Sequence, residues 1–231
     1  MGPCMDTSGR LFSDRRCLGK SMNPTLFTFD IFGTVIDWLG GMQGSLRSVG
    51  RGLAVEEFER VIDFQSALEQ GVFRNYCEIA SESLVEVLAI DAQKASEIAA
   101  QMGRWPLFPD AAIGLRQLMQ RAACVAMTNS DRVHGAQVQD QLGFQLSHWV
   151  CAEELRCYKP SAEFWRGTAS RLGRPLDKSW CHVSAYGDYD LGVARQLGLA
   201  TAFISRPHCR PAPADINASD LMSLSRLLPP S

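Results

Sequence analysis

Residues 26–34, which read LFTFDIFGT, decide the fold. The run is apolar and rich in aromatic residues, is interrupted by Asp30 and is followed by Gly33 and Thr34, a pattern typical of a buried strand that ends in a turn. Further buried strands are predicted at 123–128, 148–152, 180–184 and 201–205. Helix-like stretches lie between them at 110–121, 131–142, 161–172 and 188–197. Strands that alternate with helices predict an α/β fold, here a doubly wound parallel sheet with helices on both faces.

The segment 38–106 differs from the rest, because it contains no convincing strand and several amphipathic helical stretches. We expect a helical cap domain inserted after the first strand, with residues 22–37 and 107–231 forming the α/β core. Such a cap would overhang the carboxyl ends of the strands, where open α/β sheets bind ligands. Residues 1–21 are polar and lack the apolar centre of a secretory signal, so they are predicted to be a disordered leader.

The composition excludes several classes of protein. With 23 basic and 25 acidic side chains, the 231-residue chain carries a formal charge of -2, which disfavours nucleic acid as a partner. No apolar run approaches the roughly 20 residues that span a membrane. The eight cysteines form no CxxC pair and no cluster with histidine at zinc spacing, so buried thiols are favoured over disulfides or a metal site. These features indicate a soluble cytoplasmic protein.

Polar side chains stand where the predicted strands end. In a parallel sheet these loops meet at one edge, and the residues expected to converge there are Asp30, Thr34, Thr128, Asn129, Lys159, Ser184 and Asp190. A carboxylate beside a cation stays ionised and can attack carbon or phosphorus, while hydroxyl and backbone N–H groups orient the oxygens. Singly, Asp30 could be a turn former and Lys159 a surface residue. The fit of four strand ends favours a catalytic site.

Four strings resemble, in order, the four motifs of the haloacid dehalogenase superfamily: FDIFGTVIDW at 29–38, AMTNSD at 126–131, YKPSAEFW at 158–165 and HVSAYGDYDLGVARQLGL at 182–199. The resemblance extends from about residue 25 to residue 206 and implies a Rossmann-like core. It also implies four roles: Asp30 as the nucleophile, Thr128 as the hydroxyl of the second motif, Lys159 as the lysine of the third and Asp190 as the carboxylate of the fourth.

Two departures separate the chain from the phosphatases that this resemblance includes. Those enzymes carry a second Asp two residues after the nucleophile as a proton donor, and here that position is Phe32. Their fourth motif carries Gly-Asp as a magnesium ligand, where this chain has Ser184-Ala185, with Asp188 as an extra carboxylate. Magnesium prefers hard oxygen ligands, so we expect neither a metal site nor another cofactor, and a metal-dependent phosphatase is disfavoured.

The remaining pattern resembles the L-2-haloacid dehalogenases, which use no metal. In that group an Asp carboxylate displaces the leaving group from the carbon next to a carboxylate, and water then hydrolyses the aspartyl ester. The resemblance implies a small carboxylate substrate, with Lys159 keeping Asp30 anionic and Asp190 acting as the base for water. Helical caps in the group often help to form dimers, so a homodimer is also an expectation.

Six residues are expected to contact the substrate: Phe32, Trp38, Arg60, Asn129, Trp165 and Tyr186. The Asn129 amide would meet a departing halide, and the planar fork of Arg60 would bind the substrate carboxylate. Arg60 could equally be a solvent-facing residue of a cap helix, and each aromatic side chain could serve core packing instead. The resemblance also leaves the substrate open, because Phe32, Trp165 and Tyr186 stand where those dehalogenases carry Tyr, Tyr and Asn.

Three other functions remain open. The same carboxylate could open a strained ring, as in relatives that hydrolyse L-azetidine-2-carboxylate, and an acidic cap would suit a cationic amino acid. The chain could also be a phosphatase without its usual acid, or an inactive binding protein of this fold. The last is disfavoured because Asp30, Lys159 and Asp190 are all retained.

Overall fold

The fold is organised around one parallel sheet. This computed structural model describes residues 23–229, so the predicted leader at 1–21 lies outside the described residues. Six strands form the sheet: β1 (Leu26–Phe29), β2 (Ala123–Thr128), β3 (His148–Cys151), β4 (Trp180–Ser184), β5 (Ala200–Ile204) and β6 (Ile216–Ala218). Their order is β3-β2-β1-β4-β5-β6. Because the strand order reverses between β1 and β4, the carboxyl ends of these two strands flank the crevice where such sheets bind ligands.

The cap is formed by four helices between β1 and the rest of the core: α1 (Trp38–Ser48), α2 (Val55–Glu69), α3 (Tyr76–Leu88) and α4 (Ala92–Ala100). Helix α2 buries Phe58, Val61, Ile62 and Gln65, whose spacing of three and four residues puts them on one helix face. The start of α3 is tied to the core by Asp131, whose carboxylate accepts hydrogen bonds from the N–H groups of Tyr76 and Cys77 at 2.9 and 2.8 Å.

The core helices are α5 (Ala111–Met119), α6 (Arg132–Leu142), α7 (Ala152–Leu155), α8 (Ala162–Leu172), α9 (Leu191–Gln196) and α10 (Leu221–Leu227). Ser161 caps α8 by accepting a hydrogen bond from the N–H of Glu163. Helices α6 and α8 end at Gly143 and Gly173, with φ of 67° and 60°, a left-handed conformation that glycine adopts without strain. No helix in residues 23–229 is both long and apolar enough to cross a membrane.

The turn after β1 requires its glycine. Gly33 has φ of 90°, and a Cβ atom at this position would lie 2.2 Å from Cε2 of Tyr186. The backbone N–H groups of Val35 and Ile36 both donate to the carbonyl of Ile31, which closes the turn. The chain therefore reverses immediately beyond Asp30 and brings Thr34 back beside it.

The predicted fold class is confirmed, and the differences are local. Strand β1 ends at Phe29 rather than Phe32, because residues 31–36 form the turn. Helix α9 begins at Leu191 rather than at residue 188. Helix α5 begins at Ala111 rather than at residue 110, and the Asp110 side chain binds Arg206 at 2.6 Å and the N–H of Leu221 at 2.8 Å. Strand β6 and helix α10 were not predicted. The domain boundaries at 38 and 106 stay predictions.

Candidate active site

One lysine joins two carboxylates at the carboxyl edge of the sheet. The Lys159 ammonium donates to Asp30 Oδ1 at 3.0 Å and to Asp190 Oδ2 at 2.8 Å. Only 1% of the Lys159 and Asp190 side chains and 12% of the Asp30 side chain is exposed. Ion pairs that are buried so deeply cost much desolvation and are weak evidence for stability, so the cluster suggests a functional purpose.

The second oxygen of Asp30 is held from the turn. Thr34 Oγ1 donates to Asp30 Oδ2 at 2.8 Å and accepts a hydrogen bond from the N–H of Ala185 at 2.9 Å. Thr34 therefore connects the loop after β1 to the loop after β4. Both oxygens of Asp30 have donors, which fixes the orientation of the carboxylate.

The pKa values of the two carboxylates are shifted in opposite directions. Burial raises the pKa of Asp30, as does the negative charge of Asp190, while Lys159 and Thr34 act against this rise. Burial also raises the pKa of Asp190, but Lys159 and His182 outweigh it and lower that pKa to about 2. Asp190 is thus the carboxylate that is ionised beside Lys159 in the resting site, whereas Asp30 is the more basic and more nucleophilic of the two.

The other predicted residues of the strand ends are also brought to this edge. Thr128 Oγ1 donates to Ser130 Oγ at 3.2 Å, and Ser184 Oγ accepts from the N–H of Tyr186 at 3.0 Å. Asp188 is exposed, whereas Asp190 is buried against Lys159. The geometry therefore separates the two carboxylates of the fourth motif.

Asn129 is engaged with protein groups. Its Nδ2 donates to the carbonyl of Lys159 at 2.8 Å, and Glu69 and the Tyr189 hydroxyl lie at 3.0 and 2.9 Å. Its Oδ1 accepts from the N–H of Lys159 at 2.8 Å. An amide nitrogen has two hydrogens, so in this arrangement none is left for a halide. Asn129 lines the cavity, but its observed contacts fix Lys159.

A cavity of about 530 Å³, including its open mouth, lies between the core edge and the cap. The core contributes Asp30, Phe32, Thr128, Asn129, Lys159, Tyr186, Tyr189, Asp190 and Arg210 to its walls, and the cap contributes Trp38, Ile62, Gln65, Ser66, Glu69 and Tyr76.

Two predicted substrate contacts lie elsewhere. The Arg60 side chain is 64% exposed and faces Glu57 at 3.9 Å, because its position on α2 is opposite to the buried face. Trp165 is fully buried on α8, where its ring lies edge-on to His182 at 5.8 Å between centroids. Neither lines the cavity, so substrate contact at these two residues stays a prediction that the described geometry does not support.

Arg210 is a cavity residue that sequence reasoning missed. It lies in the loop between β5 and β6, and its Nε donates to Glu59 at 3.1 Å while its Nη2 binds Glu59 and, at 2.8 Å, Asp63. Two carboxylates of the cap thus orient one guanidinium at the cavity wall. The loop has no regular pattern, and no sequence signal pointed to it.

Glu69, at the end of α2, is a second missed residue. It accepts a hydrogen bond from the Tyr189 hydroxyl and another from Asn129. Burial raises the pKa of Glu69 to about 8, against the lowering effect of these two hydrogen bonds. Burial and Glu69 also raise the pKa of Tyr189. The cavity therefore contains a carboxyl group that can carry a proton at neutral pH.

Three side chains that could bind a metal ion lie together where α3 meets α6. Ligand atoms of Cys77, Asp131 and His134 lie within 4.8 Å of one another. The Asp131 oxygens cap the start of α3, and His134 Nε2 is 2.8 Å from the carbonyl of Ala99. These side chains already have partners that join cap and core.

No protein-family model and no curated protein matches the sequence. Among solved structures, an L-2-haloacid dehalogenase is 26% identical with a TM-score of 0.76, over 89% of this chain and 98% of that chain. A defluorinating L-2-haloacid dehalogenase is 24% identical with a TM-score of 0.76, over 89% of this chain and 95% of its own.

The L-2-haloacid dehalogenase from Xanthobacter autotrophicus is 18% identical with a TM-score of 0.77, over 88% of this chain and 98% of its own. The same enzyme with chloropropionic acid covalently bound gives a TM-score of 0.74. The predicted resemblance is thereby confirmed: the structural neighbours of this chain are L-2-haloacid dehalogenases, hydrolases of the haloacid dehalogenase superfamily, and the chain has their fold.

Proposed function

We propose that the protein is a hydrolase that cleaves a small 2-substituted carboxylate, such as a 2-haloacid, through an aspartyl ester on Asp30 and without a metal ion. The observation that carries this proposal is the Lys159 ammonium between Asp30 and Asp190. A buried lysine supplies the positive charge that an anionic nucleophile and an anionic substrate both need.

The first step is a displacement at carbon. An oxygen of Asp30 forms a C–O bond to the carbon next to the substrate carboxylate, and the carbon–halogen bond breaks with release of halide. Lys159 and Thr34 each hold one oxygen of Asp30, so the carboxylate is oriented before the substrate binds. The raised pKa of Asp30 favours its nucleophilicity.

The second step is hydrolysis of the ester. Asp190 accepts a proton from water, the water oxygen attacks Cγ of Asp30, and the bond from Cγ to the ester oxygen breaks. The ester oxygen takes up the proton from Asp190 and leaves as the hydroxyl of a 2-hydroxy acid, which regenerates both carboxylates. Oδ1 of Asp190 is buried and has no hydrogen-bond partner among the described residues. We assign this oxygen to the water of the second step, because no described group donates a hydrogen bond to it.

Arg210 is the residue proposed to bind the substrate carboxylate, in place of Arg60. It lines the cavity that contains Asp30, and its guanidinium is oriented by Glu59 and Asp63. A guanidinium that two carboxylates have already oriented loses little freedom when it binds a third.

A ring-opening hydrolase of L-azetidine-2-carboxylate or a similar cyclic amino acid is the second candidate. Glu69 favours it, because an amine leaving group needs a proton, and burial raises the pKa of this cavity carboxyl to about 8. A halide leaves without a proton. A phosphatase and an inactive binding protein have no comparable observation in their favour.

Cytoplasmic location and a homodimer are finer parts of the same proposal. Cys77, Cys124, Cys151, Cys157, Cys181 and Cys209 are free thiols, which supports a reducing compartment. Sedimentation of the purified chain tests the dimer, and a single species at the monomer mass would contradict it.

The experiment that tests the activity is a substrate panel with a metal chelator present. We expect chloride release from one enantiomer of 2-chloropropionate by the wild-type chain and none by Asp30→Asn. Release of ring-opened product from L-azetidine-2-carboxylate without chloride release would favour the second candidate. Turnover of neither compound by folded protein would contradict both.

A further inference from the structure

A chain of buried hydrogen bonds runs behind Asp190. Trp180 Nε1 donates to Thr28 Oγ1 at 2.7 Å, and this oxygen lies 2.8 Å from His182 Nδ1. His182 Nε2 lies 3.2 Å from Asp190 Oδ2. All four side chains are essentially inaccessible to solvent. The chain connects the interior of β1 and β4 to the base of the candidate active site.

The donors and acceptors in this chain favour a proton on Nε2 of His182. An indole N–H can only donate, so Thr28 must accept from Trp180, and its own proton is free to go to His182 Nδ1. The imidazole proton then lies on Nε2, directed at Asp190. The opposite neutral tautomer would put a bare nitrogen against a carboxylate oxygen in a buried site, which leaves two acceptors facing each other.

The two oxygens of the Asp190 carboxylate have different surroundings. Oδ2 receives hydrogen bonds from both Lys159 and His182, whereas Oδ1 is buried and receives none from residues 23–229. Asp190 also lines the cavity. An unpartnered buried acceptor costs stability, so its retention calls for a functional explanation.

We propose that His182 is a positioning residue whose Nε2–H holds Oδ2 of Asp190 against the core and leaves Oδ1 for the water that hydrolyses the ester. The inference rests on the proposed function for the identity of that water. It assigns to a strand residue, outside the cavity, control over the second chemical step and none over the first.

Rapid-quench kinetics of His182→Leu with (S)-2-chloropropionate test the separation of the two steps. Mass spectrometry of the quenched protein reports the Asp30 ester. We expect ester formation within about twofold of wild type and ester hydrolysis slower by on the order of 10- to 100-fold, the usual effect of one hydrogen bond to a charged group. The ester should therefore accumulate.

His182→Gln restores a side-chain N–H and should recover most of the hydrolysis rate. His148→Leu is the matched control, because His148 is an exposed residue of β3; it should behave like wild type. Equal slowing of both steps, or unchanged hydrolysis in His182→Leu, would overturn the proposal.

A second measurement does not depend on the substrate. Nitrogen-15 NMR of the full wild-type chain reports the tautomer of its four histidines, with the His182 signals assigned by their loss in His182→Gln. We expect a proton on Nε2 of His182. A neutral Nδ1–H tautomer, with no proton on Nε2, would overturn the inference, even if turnover of 2-chloropropionate supported the proposed function. Absence of turnover with that proton present would count against the proposed function alone.

Discussion

Asp30 and Asp190 share one cation, because the Lys159 ammonium lies 3.0 Å from an oxygen of the first and 2.8 Å from an oxygen of the second. Burial lowers the pKa of Lys159, but the two carboxylates outweigh it and raise that pKa, so the lysine stays charged. The arrangement keeps one net negative charge at the end of β1, where a nucleophile is needed. Lys159 therefore both offsets the desolvation of two buried carboxylates and keeps a nucleophile charged.

Removal of the shared cation should destabilise the fold. Lys159→Met leaves two buried carboxylates without a counter-charge, and we expect a loss of about 3–5 kcal/mol in the free energy of unfolding. Denaturant titration measures it. Lys178→Met is the matched control, because Lys178 pairs with Asp215 at 3.1 Å with 61% of its side chain exposed; its loss should be at most about 1 kcal/mol. A loss of that small size at Lys159 would contradict the account.

Much of the site could be predicted from the sequence, because parallel strands bring their carboxyl ends to one edge. Asp30, Thr34, Thr128, Lys159, Ser184 and Asp190 were found in this way, and they lie together. The position of Trp165 did not follow from the strand ends, since α8 packs it beside His182 rather than against the cavity.

The periodicity of helix α2 distinguishes Glu69 from Arg60. Its buried positions Phe58, Ile62 and Gln65 continue at spacings of three and four residues to Glu69, whereas Arg60 lies on the opposite face. The phase of the helix could therefore have separated these two residues. Arg210 could not have been found, because its position depends on a loop with no regular structure.

The pH profile of kcat/KM should reflect the raised pKa of Asp30. Only ionised Asp30 attacks, so the acidic limb is expected above the ordinary value of 3.8. Thr34→Val removes a hydrogen bond that lowers this pKa, so the limb should move to higher pH. An acidic limb below 3.8, or one that Thr34→Val moves to lower pH, would contradict the assignment of Asp30.

The lowered pKa of Asp190 should make the folded chain less stable as the pH falls below 3.8. Its pKa in the folded chain is about 2, below the ordinary 3.8, so its stabilising contribution is complete above pH 3.8 and is lost as the pH falls towards 2. In Asp190→Asn, where nothing titrates at this position, unfolding measured between pH 5 and pH 2 should show a shallower decline. An equally steep decline would remove Asp190 as its cause.

Glu69 should limit substrate binding at high pH. Its pKa is about 8, so the cavity gains a negative charge as the pH rises through that value, and a carboxylate substrate is repelled. We expect KM to rise above pH 8 in the wild-type chain and to stay level in Glu69→Gln. Initial rates across pH 6.5–9.5 measure this, and a parallel rise in both proteins would refute the role of Glu69.

Arg210 and Arg60 make a matched pair for the carboxylate-binding proposal. Arg210→Met should raise KM for 2-chloropropionate by on the order of 10-fold or more, because it removes a charge-assisted hydrogen bond from the cavity wall. Arg60→Met removes a side chain that is 64% exposed and should leave KM unchanged. The reverse pattern would restore Arg60 as the anchor.

The central claim is that Asp30 forms an ester whose hydrolysis takes its oxygen from water. A single turnover in ¹⁸O-water, with the protein in excess over (S)-2-chloropropionate, tests it most directly. Because water attacks Cγ of Asp30 in this mechanism, the peptide that contains Asp30 should carry ¹⁸O and the released hydroxy acid should not. ¹⁸O in the hydroxy acid, with unlabelled Asp30, would show that water attacks the substrate itself and would contradict the account.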